Sequence, residues 1–309
     1  MAQESEGEEC ERASAHRTDG LSRGTTREPP RVRSVPDKPY PELPWVVGEL
    51  VAGIENELAE NLIGAYVVGS LATGDFDLES DVDFLVVTKE EVKDEVVRLL
   101  EAMHSRIHGL GCYAAQHLEG SYISHSLLNQ SEAVGVQPVW YLDNGSTTFE
   151  RSVHDNKWHV RWVLRERGIT LVGPEATSLL DPIPVEAMRA EVAATMRLVA
   201  DDFAAAIDGP LDFWTSRFGQ SFAVLGYCRM LHTLQTGAVE SKFAGMNWAR
   251  QALDPAWAGL IQRAWEERKG VRHGVKIRQH ADPRALTDTL EFIPCAVRES
   301  ERGHLTGPL

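Results

Sequence analysis

Apolar side chains follow two different rhythms along this chain, with the change near residue 180. Val46, Leu50, Ile54 and Leu58 recur at i, i+4, i+8 and i+12, which predicts a helix over 44–60. Strands are expected at 64–69 and 82–88. A helix at 89–107 between them and the next strand would carry Val92, Val96, Leu99, Leu100 and Met103 on one side. A strand at 113–124 would hold Leu118, Glu119, Tyr122 and Ile123. A short apolar stretch from Val136 to Tyr141 then leads into an Asp-Asn-Gly turn at 143–145. A helix over 155–167 is expected to open at an Asp155 or Asn156 cap and to end at Gly168, with Trp158, Trp162 and Val163 on its apolar side. The strand ITLV follows, ended by Gly173-Pro174. Strands alternating with helices signal an α/β arrangement.

After Asp181-Pro182 only the helical rhythm remains. Val185, Met188, Val192, Met196, Val199, Phe203 and Ile207 keep helical spacing, and further helices fit 217–235, about 245–268, and 283–298. The expected fold is an α/β (α+β) domain with a mixed sheet over residues 41–182, followed by an all-α helical bundle over 183–300 and a tail at 301–309. Residues 1–40 hold Glu, Arg, Ser, Thr, Gly and Pro with almost no large apolar side chain. Such a segment buries too little surface to offset its ordering entropy, so it is expected to be disordered.

Composition narrows the partners. With 31 Lys and Arg against 46 Asp and Glu, the formal net charge is −15. A phosphate backbone wants a basic face, so nucleic acid is not an expected partner. An acidic chain attracts cations, either a metal ion or a polycationic small molecule, although by charge alone plain solubility is the better account. Cys10, Cys112, Cys228 and Cys295 are far apart and match neither zinc nor disulfide spacing, which fits a reducing cytoplasm. No apolar run approaches the ~20 residues that span a bilayer, and the charged N-terminal stretch lacks the core of a signal peptide. A cytoplasmic monomer that avoids membranes is expected.

The chemistry concentrates in AYVVGSLATGDFDLESDVDFLVVT, Ala65 to Thr88. An apolar strand runs into Gly69-Ser70. A polar loop and a second strand carrying Asp81 and Asp83 follow. Side chains two apart on a strand share a face, so the two carboxylates stand side by side and repel unless a cation lies between them. Hard oxygen ligands suit Mg²⁺, which is usually held by one or two carboxylates plus substrate phosphates. Gly69 allows close backbone approach, and Ser70 offers an N–H and a hydroxyl to phosphate oxygens. Glu119, in AAQHLEGSYISH, is the best candidate for a third carboxylate, as metal ligand and as general base. His117 shares its face at i−2. Trp140 and Tyr141 are candidates to line an acceptor pocket.

Gly-Ser, a loop, Asp-x-Asp on a strand and a third acidic residue together resemble the DNA polymerase beta-like nucleotidyltransferase superfamily. RERGITLVGPEATSLLDPIP at 165–184 and GYCRMLHTLQTGAVESKFAGMNWA at 226–249 are similar to the domain junction and helical half of the aminoglycoside 3''- and 9-adenylyltransferases. The resemblance covers roughly residues 45–300. It implies ATP as substrate, two Mg²⁺ ions on Asp81, Asp83 and Glu119, and Gly69 and Ser70 at the triphosphate. It also implies Glu119 as the base and Arg229 and Lys242 at the ATP phosphates. The acceptor would be an aminoglycoside-like hydroxyl compound, with a protein or an unknown metabolite as the alternative. The family's acceptor-binding Trp and acidic residues correspond to Asp212 and Trp214 in DGPLDFWTSRFGQSF. The spacing there departs from the family pattern, and Gly219-Gln220 stands where an acidic residue is expected.

Overall fold

The computed structural model describes residue 35 and residues 39–269 and 273–302. Most of the expected tails at 1–40 and 301–309 lie outside these residues. Val35 and Tyr40 do not behave as tail: both are buried in the core. Tyr40 stacks on Tyr113 with ring centroids 4.5 Å apart, and its hydroxyl donates to the Leu78 carbonyl at 2.6 Å. Aromatic burial thus anchors the chain ahead of the first helix. The chain parts into two compact units between Pro182 and Ile183.

The first unit is built on a six-stranded mixed sheet, β1 (Leu62–Val67), β2 (Val82–Thr88), β3 (Leu118–Ser124), β4 (Val139–Leu142), β5 (Phe149–Ser152) and β6 (Ile169–Val172), in the order β5-β4-β3-β2-β1-β6. β2 and β3 are parallel, and every other pair is antiparallel. Helices α1 (Leu43–Leu58) and α3 (Asp94–His108) pack against each other, while α2 (Gly69–Thr73), α4 (Tyr113–Gln116), α5 (His125–Leu128) and α6 (Trp158–Arg167) are shorter. α1 buries Leu43, Val46, Val47, Leu50, Val51, Ile54 and Leu58, the stripe its spacing dictates. These join Val67, Phe84, Val86, Leu100 and Met103 in one core.

Local signals misplace four details here. Gly69 and Ser70 begin a short helix rather than a turn. Residues 113–116 form a helical turn, so the strand starts only at Leu118. β5, an edge strand with two exposed charged residues, carries too few apolar side chains to read as one. α6 opens at a Lys157 cap, so neither Asp155 nor Asn156 caps it, and its buried residues are Arg161, Val163 and Leu164 rather than the two tryptophans.

The second unit is all helical: α7 (Val185–Ala206), α8 (Arg217–Thr236), α9 (Lys242–Ala252), α10 (Ala258–Glu267), α11 (His273–Lys276) and α12 (Pro283–Glu301). α8 is central, packing on α7, α9, α10 and α12. Met196, Phe203, Val224, Tyr227, Leu231, Ile261 and Phe292 form its core. Ser216, Ser241 and Asp282 cap α8, α9 and α12 by accepting backbone N–H groups of the first turn. The single helix expected at 245–268 is two, because Leu253 is extended and Asp254 caps a new turn at Pro255. Among the described residues no helix is long and apolar enough to cross a membrane.

Candidate active site

The parallel pairing of β2 and β3 sets the geometry of the candidate site. Their register places Asp83 directly opposite Glu119, on neighbouring strands of one sheet, about 4.8 Å apart in the usual strand spacing. Gly120, one residue on, has no side chain to hold the strands apart: a Cβ there would meet the Phe84 carbonyl oxygen at 2.1 Å. Asp81 lies just ahead of β2, delivered by a tight loop. In that loop Asp77 Oδ1 accepts from the Ser80 hydroxyl at 2.9 Å and the Glu79 N–H at 3.0 Å. Gly69 closes the other side. It adopts φ +62°, and a Cβ on it would lie 1.8 Å from Asp83 Oδ2 and 2.8 Å from Asp83 Cβ. The Gly69 backbone therefore runs against the Asp83 carboxylate. Gly69, Ser70, Asp81, Asp83 and Glu119 all belong to this one neighbourhood.

Glu119 is strongly perturbed. Its side chain is 18% exposed. Burial pushes its pKa up to about 9, and the negative charges of Asp83, Asp81 and Asp155 push the same way. A hydrogen bond from the Tyr141 hydroxyl to Glu119 Oε1, at 2.7 Å, opposes them. His154 Nε2 stands 3.5 Å from the same oxygen, with its ring stacked on Tyr141. Asp155 accepts a 2.7 Å hydrogen bond from Ser121, two residues beyond Glu119 on β3, and burial raises its pKa as well. His117 does not join them: it bonds to Asn144 at 2.8 Å and stacks on Tyr113. Trp140 points elsewhere too, donating to the Val92 carbonyl.

Tyr141, His154 and Asp155 are the neighbours of Glu119 that the sequence reading did not assign to it. Tyr141 stands out there only as a pocket candidate, and Asp155 looks like a helix cap. Asn156 is a buried structural hub instead, donating to the Ala133 and Gln137 carbonyls and accepting from Arg161.

Among the described residues no group of three or more His, Cys, Asp and Glu side chains is placed to hold a metal ion by itself. Mg²⁺ does not require one, since two carboxylates and substrate phosphates suffice. Asp83 and Glu119, neighbouring hard-oxygen donors whose repulsion adds to burial in raising the pKa of Glu119, fit such an ion.

Arg229, Lys242, Asp212 and Trp214 belong to the helical unit. Arg229 lies on α8. Lys242 is the first residue of α9, with its ammonium 4.7 Å from the centre of the Phe222 ring. Asp212 is exposed, its Oδ1 accepting the Trp214 N–H at 3.0 Å, and Trp214 packs towards Phe203 and Phe213. Gln220 is buried and donates to the Thr289 hydroxyl.

Residues 51–112 match the family model described as nucleotidyltransferase domain. Residues 178–289 match the model for the C-terminal domain of aminoglycoside adenylyltransferase. A spectinomycin 9-adenylyltransferase of Campylobacter jejuni is 23% identical over 237 residues, 73% of this chain and 85% of that protein. One of Staphylococcus aureus is 25% identical over 233 residues, 71% of this chain and 81% of its own length. A crystal structure of spectinomycin adenyltransferase from Enterococcus faecialis with ATP and spectinomycin shares the fold. Its TM-score is 0.58 at 16% identity, over 82% of this chain and 98% of that one. With a matching model in each unit and these relatives, the chain is an enzyme, an aminoglycoside adenylyltransferase-like nucleotidyltransferase.

Proposed function

We propose that the enzyme transfers AMP from ATP to a hydroxyl group of a small aminoglycoside- or aminocyclitol-like acceptor. The observation that carries this reading is the opposition of Asp83 and Glu119 across a parallel strand pair, with Gly69 packed against Asp83. Glu119 takes the proton of the acceptor hydroxyl, and the oxygen attacks the α-phosphorus in line. The bond to the β-phosphate bridging oxygen breaks, so pyrophosphate leaves and the acceptor carries AMP. Asp81, Asp83 and Glu119 would hold Mg²⁺, two ions in the full arrangement. When bound, the metal neutralises phosphate charge and lets Glu119 reach its charged, basic form. Ser70 serves the triphosphate.

Arg229 and Lys242 are assigned to the ATP phosphates on the family resemblance. Support for Lys242 is its place in the first turn of α9, where a cation opposes the helix dipole unless an anion is bound there. Asp212, exposed and acidic, and Trp214 are assigned to the polycationic acceptor. The relatives named above are spectinomycin 9-adenylyltransferases, which makes spectinomycin the first acceptor to try, with streptomycin second.

The test is Mg²⁺-dependent pyrophosphate release from ATP with these two drugs. Glu119→Gln is expected to keep ATP binding and lose transfer by about 10²-fold or more, the range seen for a lost general base. Release by no drug, with Mg·ATP binding retained, would reject the acceptor class and point to a protein or another metabolite. Full transfer by Glu119→Gln would reject the base.

A further inference from the structure

A base on a strand has free torsions, and its carboxylate works only if held at one angle. β4 supplies the group that holds it. Antiparallel pairing sets Tyr141 opposite Ser121, which makes Glu119, two residues earlier on β3, its diagonal neighbour on the same face. The Tyr141 hydroxyl has one proton to give. It lies 2.7 Å from Glu119 Oε1 and 3.2 Å from Asp143 Oδ1, so Glu119 is the nearer acceptor. The tyrosine is itself clamped: it is buried, and the His154 ring lies on its face at 4.8 Å and 23°. Among the described residues, the contacts of Glu119 with Tyr141 and with His154 both fall on Oε1.

We propose that Tyr141 is a positioning residue of the transfer reaction: it pins Glu119 Oε1 and thereby aims Oε2 at the acceptor hydroxyl. It touches neither ATP nor the acceptor. This rests on the reading of Glu119 as the base.

Tyr141→Phe keeps the ring, the stack on His154 and the buried volume, and removes only the hydroxyl. It is expected to lower kcat about 10- to 100-fold, the scale of a misplacement near 1 Å. KM for ATP, KM for the acceptor and the melting temperature should barely change. His154→Phe, which retains a ring to stack on Tyr141, is expected to lose less kcat than Tyr141→Phe. Among donor-bearing and donor-less replacements, Tyr141→Gln is expected to turn over faster than Tyr141→Leu, a comparison that holds if the Phe variant folds poorly.

An unchanged kcat in Tyr141→Phe beside a dead Glu119→Gln would overturn the proposal and leave the base reading intact. A raised acceptor KM at constant kcat would make Tyr141 an acceptor contact instead. A loss in His154→Phe equal to that in Tyr141→Phe would hand the role to the imidazole. An active Glu119→Gln would remove the base reading itself.

Discussion

Gly69 offers the sharpest single test of how this site is built. Replacing it by Ala sets two separate penalties. The first is backbone strain, because φ is +62° and an L side chain there costs about 1 kcal/mol. The second is steric. The new Cβ would sit 1.8 Å from Asp83 Oδ2 and 2.5 Å from its Cγ, both inside the 3.0 Å that real Cβ contacts observe, the first by more than 1 Å. Turning the carboxylate does not relieve this, since Asp83 Cβ is itself 2.8 Å away. Asp83 must therefore move, or the backbone of residues 68–70 must. A displacement near 1 Å at a group that positions reacting atoms costs about 100-fold in rate.

Gly74 is the matched control. It ends the same short helix at φ +86°, and a Cβ there meets nothing within 4 Å. Gly74→Ala bears the strain without the clash. Both variants are expected to melt a few degrees early, about 2–4 °C per kcal/mol for a unit of this size. Only Gly69→Ala should lose turnover, read as pyrophosphate release at saturating ATP with an acceptor that supports it. If Gly69→Ala turned over within threefold of the parent, Asp83 would have room that the geometry denies it, and the reasoning would fail.

Two further predictions concern the scaffold. Asn156→Ala removes donors to the buried Ala133 carbonyl and, in a half-buried bond, to the Gln137 carbonyl, and one of the acceptors of buried Arg161. It is expected to cost about 2–4 kcal/mol, seen as a drop of roughly 5–15 °C in melting temperature. A drop of under 2 °C would show that the hub carries no stability.

His104 is buried, and burial lowers its pKa to about 3. Between pH 6.5 and 3 the unfolded chain binds a proton that the folded one refuses, so stability falls as pH falls, by up to about 1.4 kcal/mol per unit. His104→Gln, which still bonds to the Tyr122 hydroxyl that His104 meets at 3.0 Å, should flatten that slope in denaturant titrations at pH 6.5 and 5. An unchanged slope would mean that other groups govern acid unfolding.

Much of this molecule is legible in its chain because the underlying signals are local. Periodicity names the long helices: the stripe from Val46 to Leu58 becomes α1, and the one from Val185 to Phe203 becomes α7. β2 carries Val82 to Thr88 as its apolar pattern requires. The change from alternating strands and helices to helices alone announces a mixed sheet followed by a helical part. Signals fail where a segment is short or polar. β5 reads FERS and forms a strand only because β4 offers it an edge. Asp155 ahead of Trp158 has the form of a cap, yet its carboxylate turns to Ser121 on β3. Tyr40 lies in a polar stretch and is ordered by Tyr113, 73 residues later.

By itself the sequence determined the residue types at the site, their spacing within each strand, and the face each one takes, since alternation along a strand is intrinsic to the backbone. Only the tertiary structure decided which strands are neighbours and in what register. That choice sets Asp83 against Glu119, brings Tyr141 diagonally onto Oε1 and presses Gly69 on Asp83. The physical reason is that pairing between distant strands is fixed by the packing of the whole sheet against α1 and α3, a sum over the core that no local window contains.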